Sequence, residues 1–474
     1  MNEAIRELHP QYEDREDKWS FFLQSYEGGY NYFSEENLFT HEREPYKNYK
    51  FRLDRIFDIN LCEKVISVYT GYLFKKAPVR DYQGDEAFEE FESNVDLCET
   101  DINEFFQNIS DLSKLFGHVG ILIDKPRVNG DVVSKADDVL PYYTIVYPTN
   151  LIDWHTDEHN RYEWIRIKEK SNEKADPFQS RQNQTVYRTY TKNEWYIHNE
   201  DGDMIDRGEH NLGQVPYVTV YNRKLKRYPL FGWSLIEDIA YINRAIVNIA
   251  SLILEFVYRQ CFSQLVLPES AVPREEESQG EIVMGTDNAI VISDDTTVEP
   301  EYLTPPTEPM DFLRQYTQDL REAIYQLAKI EAPSFEPTEQ SGKSKAWDFH
   351  QTNSSLATQA HFLQEAERKC AKIWHKWIDK EFDGYIEYPE EFDIQALNTE
   401  LENALRIKMY NLPQSFQKEY DKALYRKILT KLPKDLMAEI DKDIESGMTQ
   451  LNQVTEKEEE TINRITQRLQ TPGG

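Results

Sequence analysis

The tripeptide Gly342-Lys343-Ser344 is one place in the chain where residue types suggest chemistry. Gly-Lys-Ser closes the phosphate-binding loop of nucleotide-binding proteins, in which backbone N–H groups wrap the phosphates. That loop needs another glycine five residues before Gly342, where this sequence has Pro337. The tripeptide also follows a predicted helix, whereas the motif follows a strand. We therefore predict no nucleotide site, and we interpret Lys343 and Lys345 as exposed positive charge in an acidic stretch.

The run His155-Thr156-Asp157-Glu158-His159 has the HxxEH spacing of one group of zinc proteases. That chemistry needs both histidines on one face of a helix, with a third ligand and a carboxylate near the zinc-bound water. Here the run lies between two strand-like stretches, Tyr142–Tyr147 and Tyr162–Lys168, so we predict a hydrophilic hairpin tip. No GxSxG, GxGxxG or histidine-paired cysteine motif occurs elsewhere. The sequence predicts no catalytic centre, no metal and no cofactor.

The 474 residues have a formal net charge of −31 and a pI near 4.8. Broad nucleic-acid affinity needs Lys and Arg on phosphates, so this charge argues against it. It does not exclude contact with DNA, because a surface past which a polyanion must slide would also be negative. The other interpretation is a solvated acidic surface that aids solubility. The length predicts two or more modules.

Cysteine usage and hydropathy bear on the compartment. The four cysteines form no CxxC pair, which argues against a disulfide framework or a zinc site and favours a reducing compartment. The first residues lack an apolar signal region. The most apolar run, Ala245–Leu254, lies between Arg244 and Glu255 and is too short to cross a bilayer. We expect no membrane contact, and a place in the cytoplasm or in a particle assembled there.

The first half of the chain predicts helices followed by strands. Aromatic and aliphatic residues recur at helical spacing in Tyr12–Glu27, in Asp58–Lys75 and from a cap at Thr100-Asp101 to Phe116. From Gly117 to Asn222 the pattern alternates, which predicts a small antiparallel β module. Its expected strands are 118–124, 142–147, 162–168, 185–191, 195–198 and 217–221.

A long helix, Ser234–Phe262, is predicted next, with Ser234 as its N-cap. Apolar residues repeat along one side of it and end before Leu267-Pro268. A helix of this kind needs a partner along its length, which a neighbouring subunit could supply as well as the chain itself. The stripe comprises Ile236, Ile239, Ile242, Ile246, Ile249, Ile253 and Val257.

The segment Glu269–Pro309 is acidic and contains a predicted hairpin, Glu281–Met284 with Ala289–Ile292. A second helix, Met310–Ile330, is followed by a polar loop, Glu331–Lys345, and by a third helix from about Ala346 to Phe382. The loop is too long for an ordinary helix connection, and loops of that kind are functional or disordered. After a short strand at Tyr385–Tyr388, the tail from Asn398 is predicted to be helical and highly charged.

At this point the sequence resembles the portal proteins of tailed double-stranded DNA bacteriophages. The resemblance covers most of the chain from His9 to about residue 384, and it depends on the order of several weak motifs. These are Leu61–Pro78 (LCEKVISVYTGYLFKKAP), Phe116–Pro126 (FGHVGILIDKP), Tyr143–Trp154 and Gly213–Asn222, followed by the long helix from Phe231 and the Ile282–Ile292 hairpin.

The resemblance implies an α+β portal fold: a helical stem and crown, a β-rich wing and a small α/β clip, assembled as a ring of usually twelve subunits. By position, the expected parts are the wing (1–230), first stem helix (231–268), clip (269–309), second stem helix (310–330), tunnel loop (331–345), long wing helix with a short strand (346–389), and crown with C-terminal tail (390–474).

The resemblance also implies which residues meet other molecules. The tunnel loop would face DNA through Ser334, Glu336, Glu339, Gln340, Ser341, Lys343, Ser344 and Lys345. The clip would dock partners through Glu275, Glu276, Glu277 and Gln279. The stem stripe between subunits would comprise Ile239, Ile242, Ile246, Ile249 and Ile253.

The implied function is a channel at one capsid vertex through which the genome is packaged and ejected. Its expected partners are further copies of the chain, the terminase motor, the head–tail adaptor, the major capsid protein with its scaffold, and double-stranded DNA held without sequence specificity. An acidic channel would repel phosphate and keep that DNA mobile. Two alternatives stay open: another ring-forming head–tail connector or virion protein, and an enzyme with a dispersed carboxylate site.

Overall fold

A computed structural model of the chain describes residues 3–57, 59–126, 139–173, 182–260, 264–268, 289–293, 299, 301–303, 308–330, 342–390 and 392, with three single positions, 418, 422 and 442. By compactness the chain divides into two units, Met1–Phe392 and Asp393–Gly474. From the ranges above, the predicted crown and tail lie almost wholly outside the described residues, as does most of the clip.

Short helices form the N-terminal part, and local capping fixes where the longer ones begin. Asp101 accepts hydrogen bonds from the N–H groups of Asn103 (2.7 Å) and Glu104 (2.9 Å), which confirms the predicted cap. Asn60 caps another helix through the N–H of Glu63 (3.0 Å), so that helix begins at Leu61 rather than at 58. The helices are α1 (Glu3–Arg6), α2 (Pro10–Glu13), α3 (Glu16–Glu27), α4 (Gly29–Tyr32), α5 (Tyr46–Leu53), α6 (Leu61–Leu73), α7 (Glu86–Phe91) and α8 (Ile102–Phe116), with a π-helical turn at Phe33–Asn37.

The predicted β module consists of two antiparallel sheets. The first has the strand order β3-β2-β9, and its central strand β2 is buried along nearly all its length, in contact with α8. The second is a meander in chain order, β4 to β8. The strands are β1 (Val79–Asp81), β2 (His118–Asp124), β3 (Tyr142–Val146), β4 (Leu151–Thr156), β5 (Tyr162–Glu173), β6 (Gln182–Thr191), β7 (Glu194–His198), β8 (Met204–Glu209) and β9 (Tyr217–Tyr221).

The second half contains three longer helices and short strands. These are α9 (Ile239–Gln260), β10 (Gln264–Pro268), β11 (Ala289–Ile292), β12 (Glu301–Leu303), α10 (Glu308–Ala328), α11 (Gly342–Trp377) and β13 (Tyr385–Glu387). Helix α11 packs on β2 and β9, and β13 pairs with β1. One large core therefore joins the N-terminal helices, the first sheet and α11.

Two boundaries of α11 differ from the prediction. The helix begins at Gly342, so Lys343, Ser344 and Lys345 are helical and not part of the loop. It ends at Trp377, five residues before the predicted end, because Asp379 takes a left-handed conformation (φ 57°) that stops the helix. The remaining tunnel-loop residues lie outside the described residues.

Candidate interaction surface

The helices α9 and α10 and the strands between them form one feature, which we call the arm. Strand β10 follows α9, and β12 precedes α10; the two strands pair antiparallel, with Leu265 opposite Tyr302. Helices α9 and α10 pack against each other. The chain thus leaves the core along α9 and returns along α10, and a small sheet joins the far ends of the two helices.

The predicted clip hairpin is only partly described. Ala289–Ile292 is a strand, as predicted, but its partner among the described residues is β10, in parallel register. The other predicted strand, Glu281–Met284, lies outside the described residues, as do the clip residues Glu275, Glu276, Glu277 and Gln279. The hairpin therefore stays a prediction.

The start of α9 is fixed to the end of α8. The Ser234 hydroxyl donates to the carbonyl of Leu115 (2.6 Å), and the N–H of Leu235 donates to the carbonyl of Lys114 (2.8 Å). Ser234 was predicted as the helix N-cap, but a turn over residues 235–238 intervenes, and the Ser234 hydroxyl instead accepts from the N–H of Ile236 (3.1 Å). These bonds set the direction in which α9 leaves the core.

A close backbone contact supports the same junction. Gly117 ends α8 in a left-handed conformation (φ 89°), and its backbone touches that of Gly232. A Cβ atom added to either glycine would lie against the carbonyl oxygen of the other, closer than real Cβ contacts come. Both positions therefore require glycine.

The end of α10 is fixed to the core as well. Ile324 and Ala328 are buried, and the Tyr69 hydroxyl donates to the carbonyl of Ala328 (2.6 Å). The Thr352 hydroxyl donates to the carbonyl of Lys329 (2.6 Å), which ties α10 to α11. Both ends of the arm therefore belong to the core.

An N-terminal segment, residues 37–55, packs along the side of α9; we call it the brace. The Phe39 N–H donates to the Asn248 side-chain oxygen (2.8 Å), and Arg52 donates to the Ser251 hydroxyl (3.0 Å). Arg52 also forms a two-point ion pair with Glu44 (2.8 and 2.7 Å). Burial alone would raise the pKa of Glu44, but the hydrogen bonds from Arg52 hold it below its usual value. These buried contacts hold the brace against α9 within the same chain.

The chain's own core covers part of the predicted stem stripe. Ile239 and Ile246 are buried in it, and Ile242 is partly buried against it. Ile239 and Ile246 are not available to a neighbouring subunit, because the body of the chain covers them. Ile249 and Ile253 are half-buried, so the surface predicted for a neighbour is confined to the second half of α9.

Helix α9 also meets a simple test for a membrane span. Residues Ile239–Tyr258 are long and apolar enough, by length and composition, with a mean hydropathy of 1.4. Core helices pass the same test. The charges within this span have partners in the chain: Arg244 lies 4.6 Å from the ring centroid of Phe21, and Glu255 lies 3.6 Å from His41. The first half of α9 thus belongs to a protein core.

The exposed aromatic residues of α5 and α10 were missed by the sequence analysis, whereas Val257 of α9 belongs to the stripe that it predicted. Large apolar side chains are exposed to solvent on α5, on α9 and on α10. The signal was present in the sequence, as aromatic residues four or five positions apart within charged helices, but apolar stripes on helices usually indicate core. The exposed residues on these three helices are Tyr46, Phe51, Tyr241, Val257, Tyr258, Phe312, Tyr316 and Leu327.

The two histidines of the HxxEH run do not meet. His155 belongs to β4, a strand that the sequence analysis placed in the turn, and His159 lies in the turn after it. Asp157 accepts from the N–H groups of His159 (2.9 Å) and Arg161 (2.8 Å), which forms the predicted hydrophilic tip. Across the described residues, no group of three or more His, Cys, Asp or Glu side chains is placed to hold a metal ion.

Asp85, His375 and Lys380 form a polar cluster that bears on the enzyme alternative. Asp85 accepts from Lys380 (3.2 Å) through one carboxylate oxygen and contacts His375 (3.1 Å) through the other. Burial raises the pKa of Asp85, but Lys380 and His375 outweigh it and hold the pKa below its usual value. An ionised carboxylate with both oxygens engaged does not serve as a general acid.

Comparison with known proteins gives a structural likeness. No protein-family model matches the sequence, and no curated protein matches it. A solved virion of a native gene transfer agent particle is similar at a TM-score of 0.40 and 10% identity, over 78% of this chain and 90% of that one. The neck of a native particle of the same kind, computed with C12 symmetry, is similar at 0.39 and 10%, over 77% and 89%. These values establish no family membership.

Proposed function

We propose that the chain is a phage portal protein, the subunit of a ring-shaped channel at one capsid vertex through which the genome enters and leaves. The observation that carries the proposal is the arm. Two helices leave and re-enter the core, and a small sheet joins their far ends. This arrangement agrees with the stem–clip–stem order that the resemblance to portal proteins implies.

Exposed apolar surface on the arm supports assembly. The second half of α9 is only half-buried, and α10 presents Phe312, Tyr316 and Leu327 to solvent. Exposed apolar side chains of this size favour a protein–protein contact. Identical chains arranged head to tail in a closed ring would cover it on every subunit.

The remaining roles follow from the same proposal. The clip, 269–309, would dock the terminase motor during packaging and the head–tail adaptor afterwards. The tunnel loop would border double-stranded DNA without reading its sequence, and the net charge of −31 would keep that DNA mobile. The ring would sit in the virion at the portal vertex, in contact with the major capsid protein.

Electron microscopy of the purified chain tests the proposal. A ring with a central hole is expected, and a monomer at all accessible concentrations would overturn it. The DNA content of particles assembled without the chain distinguishes a portal protein from another head–tail connector. Loss of a portal should leave capsids without DNA, whereas DNA-filled heads that lack tails would assign the chain to the connector.

A further inference from the structure

Helix α5 presents a cationic and aromatic face to solvent. Tyr46 is 71% exposed and Phe51 is 44% exposed. The Lys50 ammonium lies 5.5 Å from the ring centroid of Tyr46, and that of Lys47 lies 5.8 Å from the centroid of Phe51. Such contacts hold the cations against the rings at the surface. We call Tyr46, Lys47, Lys50 and Phe51 the α5 face.

The α5 face differs in charge from the rest of the chain. Residues 43–55 contain five basic and two acidic residues, whereas the whole chain has a net charge of −31. One of the two acids, Glu44, is occupied by the buried Arg52. The α5 face is therefore a positive patch whose two lysines have no ion-pair partner among the residues that the structure describes.

Helix α10 presents the opposite combination. Phe312 is 69%, Tyr316 46% and Leu327 49% exposed, and the rings of Phe312 and Tyr316 stack with centroids 6.2 Å apart. Their spacing places them on one side of the helix. The buried side comprises Leu313, Thr317, Leu320, Ile324 and Ala328.

Carboxylates line the exposed side of α10. Asp319 accepts from Gln315 (3.0 Å) and Glu322 accepts from Gln318 (3.0 Å), and within the described ranges neither carboxylate has an ion-pair partner. Glu308 and Asp311 add further negative charge, of which Asp311 is paired with Arg314 (3.7 Å). We call Phe312, Tyr316, Asp319 and Glu322 the α10 face.

We propose that the α5 face of one subunit docks on the α10 face of the next subunit around the ring. This inference rests on the proposed function. The faces match in chemistry, since each offers aromatic area and each has charges that lack a partner of opposite sign. A head-to-tail ring needs two different surfaces on every chain. Helices α5 and α10 supply them, because both pack on α9 and share no extensive contact among the described residues.

A second copy fits the α5 face better than nucleic acid does. Two lysines flanked by exposed aromatic rings give a small cationic patch, and non-specific DNA binding needs many phosphate contacts along a groove. The acidic α10 face, by contrast, is present once for every α5 face. Charge pairs at the rim of such a contact select the partner and fix the register.

Reciprocal charge reversal tests the proposal. Lys47→Glu with Lys50→Glu makes the α5 face acidic, and Asp319→Lys with Glu322→Lys makes the α10 face basic. Each double variant alone should lose the ring and run as a monomer in native mass spectrometry. An equal mixture of the two should recover a ring in which they alternate, because each then meets a face of opposite charge.

Two controls accompany the reversals. Lys64→Glu with Lys372→Glu removes two exposed lysines on α6 and α11, causes the same change in net charge as the α5 reversal and should leave the ring intact. Circular dichroism identifies any variant that fails to fold. For such a variant, Lys47→Gln with Lys50→Gln or Asp319→Asn with Glu322→Gln replaces it, and a smaller loss of ring is expected.

The outcomes separate this inference from the proposed function. A wild-type monomer overturns the ring itself. If the wild type forms a ring and both reversals form it equally well, the docking of these two faces is wrong and the portal proposal stands. Failure of the mixture to recover a ring also overturns the docking. If the α5 reversal assembles normally but loses binding to a fluorescent double-stranded DNA oligomer, the patch is a nucleic-acid site instead.

Discussion

The guanidinium of Arg80 and the carboxylate of Glu367 form a buried two-point ion pair, Nε to Oε1 at 2.6 Å and Nη2 to Oε2 at 3.2 Å. Arg80 is in β1 and Glu367 is in α11, so the pair connects parts of the core far apart in sequence. Arg80 also donates to Asn103 (2.6 Å), and the Tyr388 hydroxyl donates to Glu367 (2.6 Å). Burial would lower the pKa of Arg80, but the Glu367 carboxylate outweighs that effect and raises the pKa of Arg80 above its usual value.

Removing one member of this pair should destabilise the core. Arg80→Met leaves the Glu367 carboxylate buried without a cation, and breaking a buried pair in this way costs about 3–5 kcal/mol. Urea unfolding followed by tryptophan fluorescence measures the change. Arg161→Met at the exposed hairpin tip is the control and should have little effect. Equal unfolding midpoints for the two variants would contradict the role of the pair.

Lys114 should make stability depend on pH. Its ammonium is buried against Thr70 and Ser110. Burial lowers its pKa to about 7, and the nearby Asp111 opposes part of that shift. The unfolded chain then binds more protons than the folded one between about pH 7 and 10.5, so this residue's contribution to stability rises with pH in that window. The slope is at most about 1.4 kcal/mol per pH unit.

Lys114→Met is the variant that isolates this effect. The free energy of unfolding of the wild type, relative to Lys114→Met, should increase from pH 7 to pH 9. Lys372→Met removes an exposed lysine from α11 and should leave the pH profile of the wild type unchanged. A difference between wild type and Lys114→Met that is constant with pH would show that the ammonium keeps its ordinary pKa in the folded chain.

Gly232→Ala should destabilise the junction between the core and α9. The new Cβ would meet the carbonyl oxygen of Gly117, so the two backbones must separate. Overpacking of this kind costs about 1–3 kcal/mol. Gly71→Ala is the matched control: it lies in α6 with open space around it and should stabilise the chain by about 0.5–1 kcal/mol. Thermal unfolding should therefore shift in opposite directions, and a shift of the same sign would refute the close approach.

Deleting Ser334 to Ser341 tests the proposed tunnel loop, of which residues 331–341 lie outside the described residues. Ordering a polar loop between two helices costs conformational entropy, which packing must offset. A contact with moving DNA would explain why the chain has a loop of this length. The deletion should leave the ring assembled and reduce the DNA content of virions. Full DNA content in such virions would identify the segment as a solvated linker.

Some of the fold could be predicted because its causes are local. The cap at Asp101 depends on two adjacent N–H groups, and the strands His118–Asp124 and Tyr217–Tyr221 were predicted with the bounds that the structure has. Strands β4 and β8 were missed. In β4 the polar Asp153 interrupts the apolar pattern because Arg166 of β5 pairs with it (3.2 Å), and β8 is an exposed edge strand with little pattern.

The candidate surface was harder to predict, because it depends on which residues the rest of the chain covers. The periodicity of α9 correctly shows an apolar stripe, but it cannot tell that Ile246 faces the chain's own core while Ile253 is half-exposed. Likewise Lys114 has the sequence context of a solvated lysine. Its burial follows from the packing of α6 against α8, which no local pattern in the sequence encodes.

The antiparallel pairing of β10 with β12 has a mechanical consequence. Because the sheet joins the outgoing and returning strands, a tensile load applied there divides between α9 and α10 instead of passing along one helix. Each helix is fixed to the core by its own contacts, at Ser234 and at Ala328. A pulling force on the sheet would therefore have to break both attachments to the core together before the arm could detach.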